Sequence, residues 1–220
     1  MQKRSILALL LCLPCFLNAQ GDTWNGRKAF EAAKALKEGV LVVCLPSNNN
    51  KIKALSALLD NPQVGENEKK RIRMQLATTE SESRSDNRTT IAAFRQEYRF
   101  SEVYFTYDTA ITQLRQGIAD GYFLNDTLET APAAVSLAGK TWFVLRMGYT
   151  DATQSSGAEA LILSDSSLNE LAPPFPAAVR LDNLGYLINR ALAPEIAARK
   201  RMTKAARKLQ ERLGDFYGNE

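Results

Sequence analysis

The pattern of apolar positions changes along the chain from a short continuous run to helical spacing. Residues Val40–Leu45 read Val-Leu-Val-Val-Cys-Leu, and Gly39 and Pro46 bound this run on its two sides. A short valine-rich run between turn residues is typical of a strand that is buried on both faces. Such strands lie in the middle of a sheet covered by helices. We therefore expect Val40–Leu45 to be the central strand.

Apolar residues three or four positions apart predict helices around this strand. The predicted helices are Asp22–Lys37, Lys51–Leu59, Glu66–Tyr98, Ile111–Arg115 and one from Pro194 to about Leu213 that stops at Gly214. The third is unusual, because residues 78–90 include no large apolar side chain. Either one helix crosses solvent in its middle, or two helices flank an exposed loop. The absence of Gly and Pro and the favourable Glu80/Arg84 spacing favour one helix, although Arg84 and Arg88 repel each other.

Apolar runs with turn residues at their ends predict the remaining strands. The predicted strands are Glu102–Asp108, Gly121–Asn125, Thr141–Tyr149 and Glu159–Ser164, with an edge strand or two within Val179–Ile188. The last two full strands pair as an antiparallel hairpin, because a polar loop of small residues, Ala152–Gly157, separates them. Strands that alternate with helices and end in a hairpin predict a single α/β domain with a mixed β-sheet of four to six strands flanked by helices.

The first nineteen residues have the pattern of an export signal. Lys3 and Arg4 precede an apolar stretch, Ile6–Leu17, that is too short to span a bilayer, and Ala19 offers a small residue for cleavage. The sequence therefore predicts a signal peptide over residues 1–19, followed by a single domain over 20–220. An uncleaved anchor and a buried N-terminal helix are the alternatives.

Loss of this signal changes the charge and the cysteine content of the chain. The formal charge of +4 falls to +2, because Lys3 and Arg4 leave and no acidic residue leaves with them. A nearly neutral chain gives no indication of nucleic-acid binding. Of three cysteines only Cys44 remains, so no internal disulfide is expected. The chain contains no histidine, which excludes Ser-His and Cys-His catalysis and histidine metal ligation.

The candidate chemical groups are few, and each has a structural explanation. Cys44 lies within the apolar run and is expected to be a buried, unreactive thiol. Ser47 follows the central strand but lacks a nucleophile elbow, so we expect a turn or capping role unless Lys51 or Lys53 serves as a base. Five aspartates lie near predicted strand ends, where α/β proteins place sites but where acids also form turns. They are Asp108, Asp120, Asp126, Asp151 and Asp165.

The last predicted helix is strongly basic. Its cations are Arg199, Lys200, Arg201, Lys204, Arg207, Lys208 and Arg212. This face either binds an anionic surface, such as lipid headgroups or an acidic partner, or is the solvated side of a docked helix.

Two resemblances add expectations. The order of helices and strands around Val40–Leu45, with a later hairpin through Ala160–Asp165, resembles the thioredoxin-like fold. That family's Cys-x-x-Cys is replaced here by Leu45–Asn50, so the resemblance implies no redox activity. Five short pieces of sequence are similar to a group of uncharacterised exported proteins of Bacteroidetes, which implies an envelope location. These pieces are Val40–Ser47, Ile91–Phe94, Val103–Phe105, Gly148–Thr150 and Pro174–Pro176.

The sequence thus favours a non-catalytic, exported binding or interaction protein of the periplasm or cell envelope. No catalytic, cofactor-binding or metal-binding residue is predicted. A protein partner is expected at the polar helix Glu66–Tyr98 or at the basic helix 194–213. The alternatives are an enzyme that uses strand-end carboxylates or the lone thiol, and a peripheral protein held on an anionic membrane by the basic helix.

Export with cleavage is testable by mass. We expect the protein secreted by its natural export route to have lost residues 1–19 or 1–20, because the small Ala19 precedes the predicted cleavage point. Intact-mass spectrometry and N-terminal sequencing of the secreted chain measure this directly. A secreted chain that still carries Met1–Ala19 would contradict the prediction.

Overall fold

The computed structural model describes residues 13–150, 157–190 and 193–218. Six α-helices and five strands lie along these segments. In chain order they are α1 (Leu13–Glu38), β1 (Val40–Leu45), α2 (Asn49–Asp60), α3 (Glu66–Glu97), β2 (Glu102–Tyr107), α4 (Ile111–Arg115), β3 (Trp142–Tyr149), β4 (Glu159–Asp165), β5 (Ala178–Arg180), α5 (Asn183–Arg190) and α6 (Pro194–Gly218). A 3₁₀ turn, Asp108–Ala110, joins β2 to α4.

The five strands form one mixed sheet in the order β2-β1-β3-β4-β5. β1 runs parallel to both β2 and β3, whereas β4 is antiparallel to β3 and β5 is antiparallel to β4. The predicted α/β class with a mixed sheet between helices is confirmed. The predicted hairpin is also confirmed, with Met147 opposite Leu161 in its register.

β1 is buried on both sides of the sheet, as its apolar run predicts. Leu41, Val43 and Leu45 point to one core cluster, while Val40 and Val42 point to the other. Because side chains alternate across a strand, only an unbroken apolar run fills both clusters. β1 is therefore the element that joins the two halves of the core.

Three long helices cover the first face of the sheet. Ala29, Ala33 and Leu36 of α1 pack there with residues of α3 and α6, such as Phe94 and Leu209. The side chains of α1 are small at two of these positions, which lets that helix lie close to the strands. Each fully buried large apolar side chain contributes roughly 1.5–3 kcal/mol to folding.

The second face is covered by the short helix α4 and by non-helical chain between α4 and β3. Ile111 and Leu114 come from α4, while Phe123 and Leu137 come from the connecting segment. The ring of Phe123 lies 5.0 Å from that of Tyr104, centroid to centroid. No long helix covers this face, because the connecting segment supplies the apolar side chains instead.

Four boundary predictions are corrected. The predicted strand Gly121–Asn125 forms only isolated bridges, since Phe123 pairs with Thr106 and Leu124 with Thr130. The chain after β5 is not a second edge strand but helix α5. Gly214 does not stop the last helix, which continues to Gly218. The first helix begins at Leu13 rather than Asp22.

The long polar helix is a single helix, as favoured from the sequence, and it ends at Glu97 rather than Tyr98. Residues 1–12 of the predicted signal lie outside the described residues. In the part of the chain that the structure describes, no helix combines the length and apolar character needed to cross a membrane.

The junction between α1 and β1 requires glycine, which gives a stability prediction. A Cβ at Gly39 would lie 2.3 Å from the carbonyl oxygen of Thr141 and 2.7 Å from that of Ala35. We expect Gly39→Ala to lower the free energy of unfolding by about 1–3 kcal/mol, because two backbone segments must move apart. Urea denaturation measures the change.

Gly26 provides the matched control, because it lies in α1 and a Cβ there meets nothing within 4 Å. Gly26→Ala is expected to leave stability unchanged or to raise it by up to about 1 kcal/mol, given the higher helix propensity of alanine. Equal urea midpoints for the two variants would contradict a close approach at Gly39.

Candidate functional site

The polar middle of α3 faces the protein interior and not only solvent. Thr79, Asn87 and Thr90 are buried on the same side as Ile72 and Phe94. The inward positions follow one another at intervals of three or four along the helix. They are Ile72, Leu76, Thr79, Ser83, Asn87, Thr90, Phe94 and Tyr98. The expectation that this helix crosses solvent in its middle therefore holds only for its outer side.

The carbonyl oxygen of Pro46, just after β1, accepts two hydrogen bonds from this inward row. Ser83 donates through Oγ at 3.2 Å, and Asn87 donates through Nδ2 at 3.0 Å. Thr79 and Thr90 instead donate to carbonyl oxygens one turn earlier in their own helix, at 2.8 and 2.9 Å. Buried polar groups need such partners, so the end of β1 and the middle of α3 are held together by polar contacts.

The turn after Pro46 is built from side-chain to backbone hydrogen bonds. The backbone N–H of Ser47 donates to Oδ1 of Asp108 at 3.1 Å, and Oγ of Ser47 accepts from the N–H of Asn49 at 3.2 Å. Asn48 has a φ of 53°, in the left-handed region that asparagine tolerates. The predicted turn role of Ser47 is confirmed.

A cavity of about 80 Å³ lies between α3, the end of β1 and the pair α5–α6. Asn87 and Thr90 line it from α3, Met147 from β3, and Tyr186 and Arg201 from α5 and α6. Pro46 brings the cavity to the carboxyl end of a parallel strand, where open α/β sheets place their ligands. Its lining is largely apolar, and Asp86, Asn87 and Arg201 add polar groups to it.

Arg201 is fixed in this cavity wall by three partners. Its Nη2 donates to Oε2 of Glu159 at 2.6 Å and also to Oδ1 of Asn183. The guanidinium carbon lies 4.7 Å from the centroid of the Tyr186 ring. Only 12% of the side chain is exposed, and its buried Nε has no acceptor among the described residues. A buried donor without an acceptor costs about 1–3 kcal/mol, which the other contacts of this guanidinium must offset.

A second, more open groove of about 210 Å³ adjoins the cavity. The two spaces share Asp86 and Tyr186 in their walls. The groove adds Glu82 from α3 and Glu195 from the first turn of α6, together with Ser81, Ser85 and Pro194. The arrangement therefore places the guanidinium of Arg201 in the cavity wall and the carboxylates of Glu82 and Glu195 in the groove wall.

The predicted strand-end aspartates are not brought together. Asp108 accepts from Ser47 at the carboxyl end of β2. Asp165 forms a turn, accepting from the N–H groups of Ser167 and Asn169 at 2.8 Å each. Its partner in the register is Phe143, at the start of β3, so it lies at the opposite edge of the sheet from Asp108.

The other three aspartates do not join them. Asp126 pairs with Arg95 of α3, with 3.4 Å between Oδ1 and Nε. Asp120 is exposed in the segment before β3, and Asp151 lies outside the described residues. Within the described segments, no group of three or more Cys, Asp or Glu side chains could hold a metal ion.

Cys44 is half-buried rather than enclosed as expected, but its chemistry is that of an inactive thiol. Burial first and the nearby Asp108 carboxylate second raise the pKa of the Cys44 thiol to about 12, against a lowering effect of Arg146. A reactive thiol requires the opposite shift.

Most cations of the basic helix contact other parts of the same chain. Arg207 makes two hydrogen bonds with Glu97 at 2.9 and 3.0 Å, and Lys204 pairs with Asp182 at 2.9 Å. Arg212 donates to the carbonyl oxygen of Ala178, and Arg201 is held as described above. The seven cations of this helix are therefore divided between four with contacts to other parts of the chain and three others, Arg199, Lys200 and Lys208.

The cavity, and the two residues Tyr186 and Arg201 in its wall, are not predicted by the sequence. The sequence pattern predicts an edge strand at Tyr186 and distinguishes Arg201 in no way from the other six cations of its helix. One available signal was the spacing of Thr79, Ser83 and Asn87, which continues the three-or-four interval of the apolar positions around them. No comparable local signal indicates the inward position of Arg201.

The raised pKa of Cys44 predicts slow chemical labelling of its thiol. A rise from 9.0 to about 12 lowers the thiolate fraction about a thousandfold at pH 8. We expect labelling by Ellman's reagent to be slower in the folded protein by a factor of that order than in the denatured protein. The same shift predicts that stability is full below pH 9 and declines as pH rises from 9 towards 12, because the unfolded thiol ionises first.

Cys44→Ala is the control for this measurement. Any labelling that remains in this variant comes from Cys12 or Cys15 and shows that the first segment is still attached. Labelling of the folded wild-type chain at the denatured rate would contradict the unreactive thiol.

Comparison with known proteins found no matching family model, no matching curated protein and no matching solved structure. Fold class alone does not determine function, so the activity has to be inferred from the site itself.

Proposed function

We propose that this chain is a non-catalytic, exported binding protein of the periplasm or cell envelope. Its ligand site is the cavity beside Arg201 together with the adjoining outer groove. The location rests on the N-terminal pattern of residues 1–19, and the binding role rests on the geometry of the site.

The observation that carries this proposal is the buried, immobilised guanidinium of Arg201. Glu159 and Asn183 hold one end of it, and the Tyr186 ring supports its face, so the group is pre-organised. The same side chain lines the cavity. Pre-organised polar groups in a largely apolar cavity are the usual construction of a small-molecule site.

The walls define the class of ligand. The inner cavity accommodates a few non-hydrogen atoms, with a carbonyl or carboxylate oxygen directed to Arg201, between the apolar Met147 and Met202. The outer groove carries Glu82 and Glu195, which attract a positive group. A molecule of amino-acid or dipeptide size, with an oxygen acceptor at one end and an amine at the other, matches both ends.

Two observations disfavour the enzyme alternative in the forms considered from the sequence. The pKa of the Cys44 thiol is raised to about 12, which removes the nucleophilic thiolate at neutral pH. Asp108 and Asp165 lie at opposite edges of the sheet, too far apart to share a proton or a metal ion. The thioredoxin-like architecture and the link to exported Bacteroidetes proteins stay predictions.

Binding of the dipeptide Ala-Ala to the folded protein tests the proposal. We expect chemical-shift changes for residues of the cavity wall in a titration followed by NMR. N-acetyl-Ala-Ala, which lacks the free amine, is expected to bind about fivefold more weakly, since each exposed carboxylate contributes at most about 1 kcal/mol. Ala198→Leu places a larger side chain in the cavity wall and is expected to abolish the shifts.

Ala57→Leu is the matched control, because Ala57 is exposed on α2, away from the cavity walls. Its affinity for Ala-Ala is expected to equal that of wild type. Unchanged binding in Ala198→Leu would place the ligand elsewhere, and the absence of any shift at millimolar Ala-Ala would reject this ligand class.

A further inference from the structure

Helix α5 presents large aliphatic side chains to solvent. Leu184, Leu187 and Ile188 are 73%, 62% and 63% exposed. They are three and four positions apart, so they share one side of the helix. Ile196, in the first turn of α6, is 57% exposed. Scattered exposed aliphatics are ordinary, but three on one side of an eight-residue helix form a contiguous patch.

The opposite side of α5 contacts the rest of the protein, so the aliphatic patch faces solvent. Tyr186 of α5 packs on the guanidinium of Arg201, and Asn183 accepts a hydrogen bond from the same group. Asp182, just before α5, pairs with Lys204. These contacts anchor α5 to α6 through polar groups, and the aliphatic side is left outward.

Two exposed cations of α6, Arg199 and Lys200, lie one turn after Ile196. Arg199 and Lys200 follow Ile196 by three and four positions, which places them on the same side of α6. Both are exposed, and neither has an ion-pair partner in the segments that the structure describes. Lys200 lies one turn before Lys204, whose pairing with Asp182 places that side of α6 next to α5, whereas Arg199 lies one turn after Glu195 of the outer groove.

We propose that α5 and the first turn of α6 dock on an anionic membrane surface. The occupant is the headgroup region of a phospholipid leaflet. Leu184, Leu187 and Ile188 enter the boundary with the acyl chains, while Arg199 and Lys200 contact the phosphates. Aliphatic side chains beside free cations are the combination that binds helices in the plane of such an interface.

The size of the patch favours a membrane over a second copy of this chain. An eight-residue helix is about 12 Å long. A stable protein interface buries about 800 Å² on each partner, which needs 20–30 residues a side. A membrane needs only a few apolar side chains and neighbouring cations, because the lipid adapts its shape to them.

This inference is independent of the ligand proposed for the cavity. It also differs from the basic-helix alternative, because Arg201, Lys204, Arg207 and Arg212 are engaged within the fold. The aliphatic side of α5, rather than the charge of α6 alone, supplies the contact.

Co-sedimentation with lipid vesicles tests the inference. The probes are vesicles of phosphatidylcholine alone and of phosphatidylcholine with phosphatidylglycerol at a one-to-one ratio. We expect the secreted chain to bind the anionic vesicles and to bind the neutral ones at least tenfold more weakly. Leu187→Ser with Ile188→Ser is expected to abolish binding, and Arg199→Gln with Lys200→Gln to weaken it about tenfold or more.

Matched controls separate the patch from general surface properties. Met74→Ser removes an exposed apolar side chain from α3, and Lys53→Gln with Arg73→Gln removes two exposed cations elsewhere. Both control proteins are expected to bind like wild type. Near-ultraviolet circular dichroism verifies that every variant keeps the native fold, and all variants share the same N-terminus.

Three results would overturn the inference. Wild-type protein that stays in the supernatant with anionic vesicles would reject membrane docking. Binding that persists unchanged in the α5 variant would assign the contact to another segment, such as an uncleaved N-terminus. A dimer in light scattering that dissociates on Leu187→Ser with Ile188→Ser would assign the patch to a second copy of the chain.

Discussion

The burial of β1 on both sides is the constraint on which the structure depends. Val40 and Val42 fill one core cluster while Leu41, Val43 and Leu45 fill the other, so one strand sustains two layers of packing. Its two parallel neighbours, β2 and β3, pair with it on either side, so the position of β1 determines theirs. Gly39 belongs to the same constraint, because a side chain there would push α1 and the start of β3 away from the strand.

The polar contacts at the end of β1 explain why a cavity exists next to so well packed a core. The carbonyl oxygen of Pro46 draws Ser83 and Asn87 inward, so small polar side chains occupy positions that Leu or Phe fills elsewhere along α3. Smaller side chains leave space, and the space is lined by hydrogen-bonding groups. A row of buried polar side chains stabilises the fold less than an apolar row would. Such a row is expected where a binding site, rather than folding, determines which residues are present.

Ion pairs divide the cations of the C-terminal helix α6 into those that contact other elements and those that do not. Glu97, Glu159 and Asp182 each hold one cation of α6, and Arg207 keeps the pKa of the Glu97 carboxyl below its usual range. These pairs lie mostly at the surface and set the position of α6 more than they add stability. The cations left over, Arg199 and Lys200 among them, are available for an external partner.

The sequence by itself determined the strands β1, β3 and β4 and the absence of imidazole chemistry, because each follows from local periodicity or from composition. It favoured a single helix over two for α3, and the structure decided between them. The tertiary structure alone decided that α5 is a helix, that Asp108 and Asp165 are separated, and that Arg201 reaches a cavity. The reason is distance along the chain: Asn87 meets Pro46 across 41 positions and Arg201 meets Glu159 across 42, whereas periodicity reports only on neighbours within a turn or two.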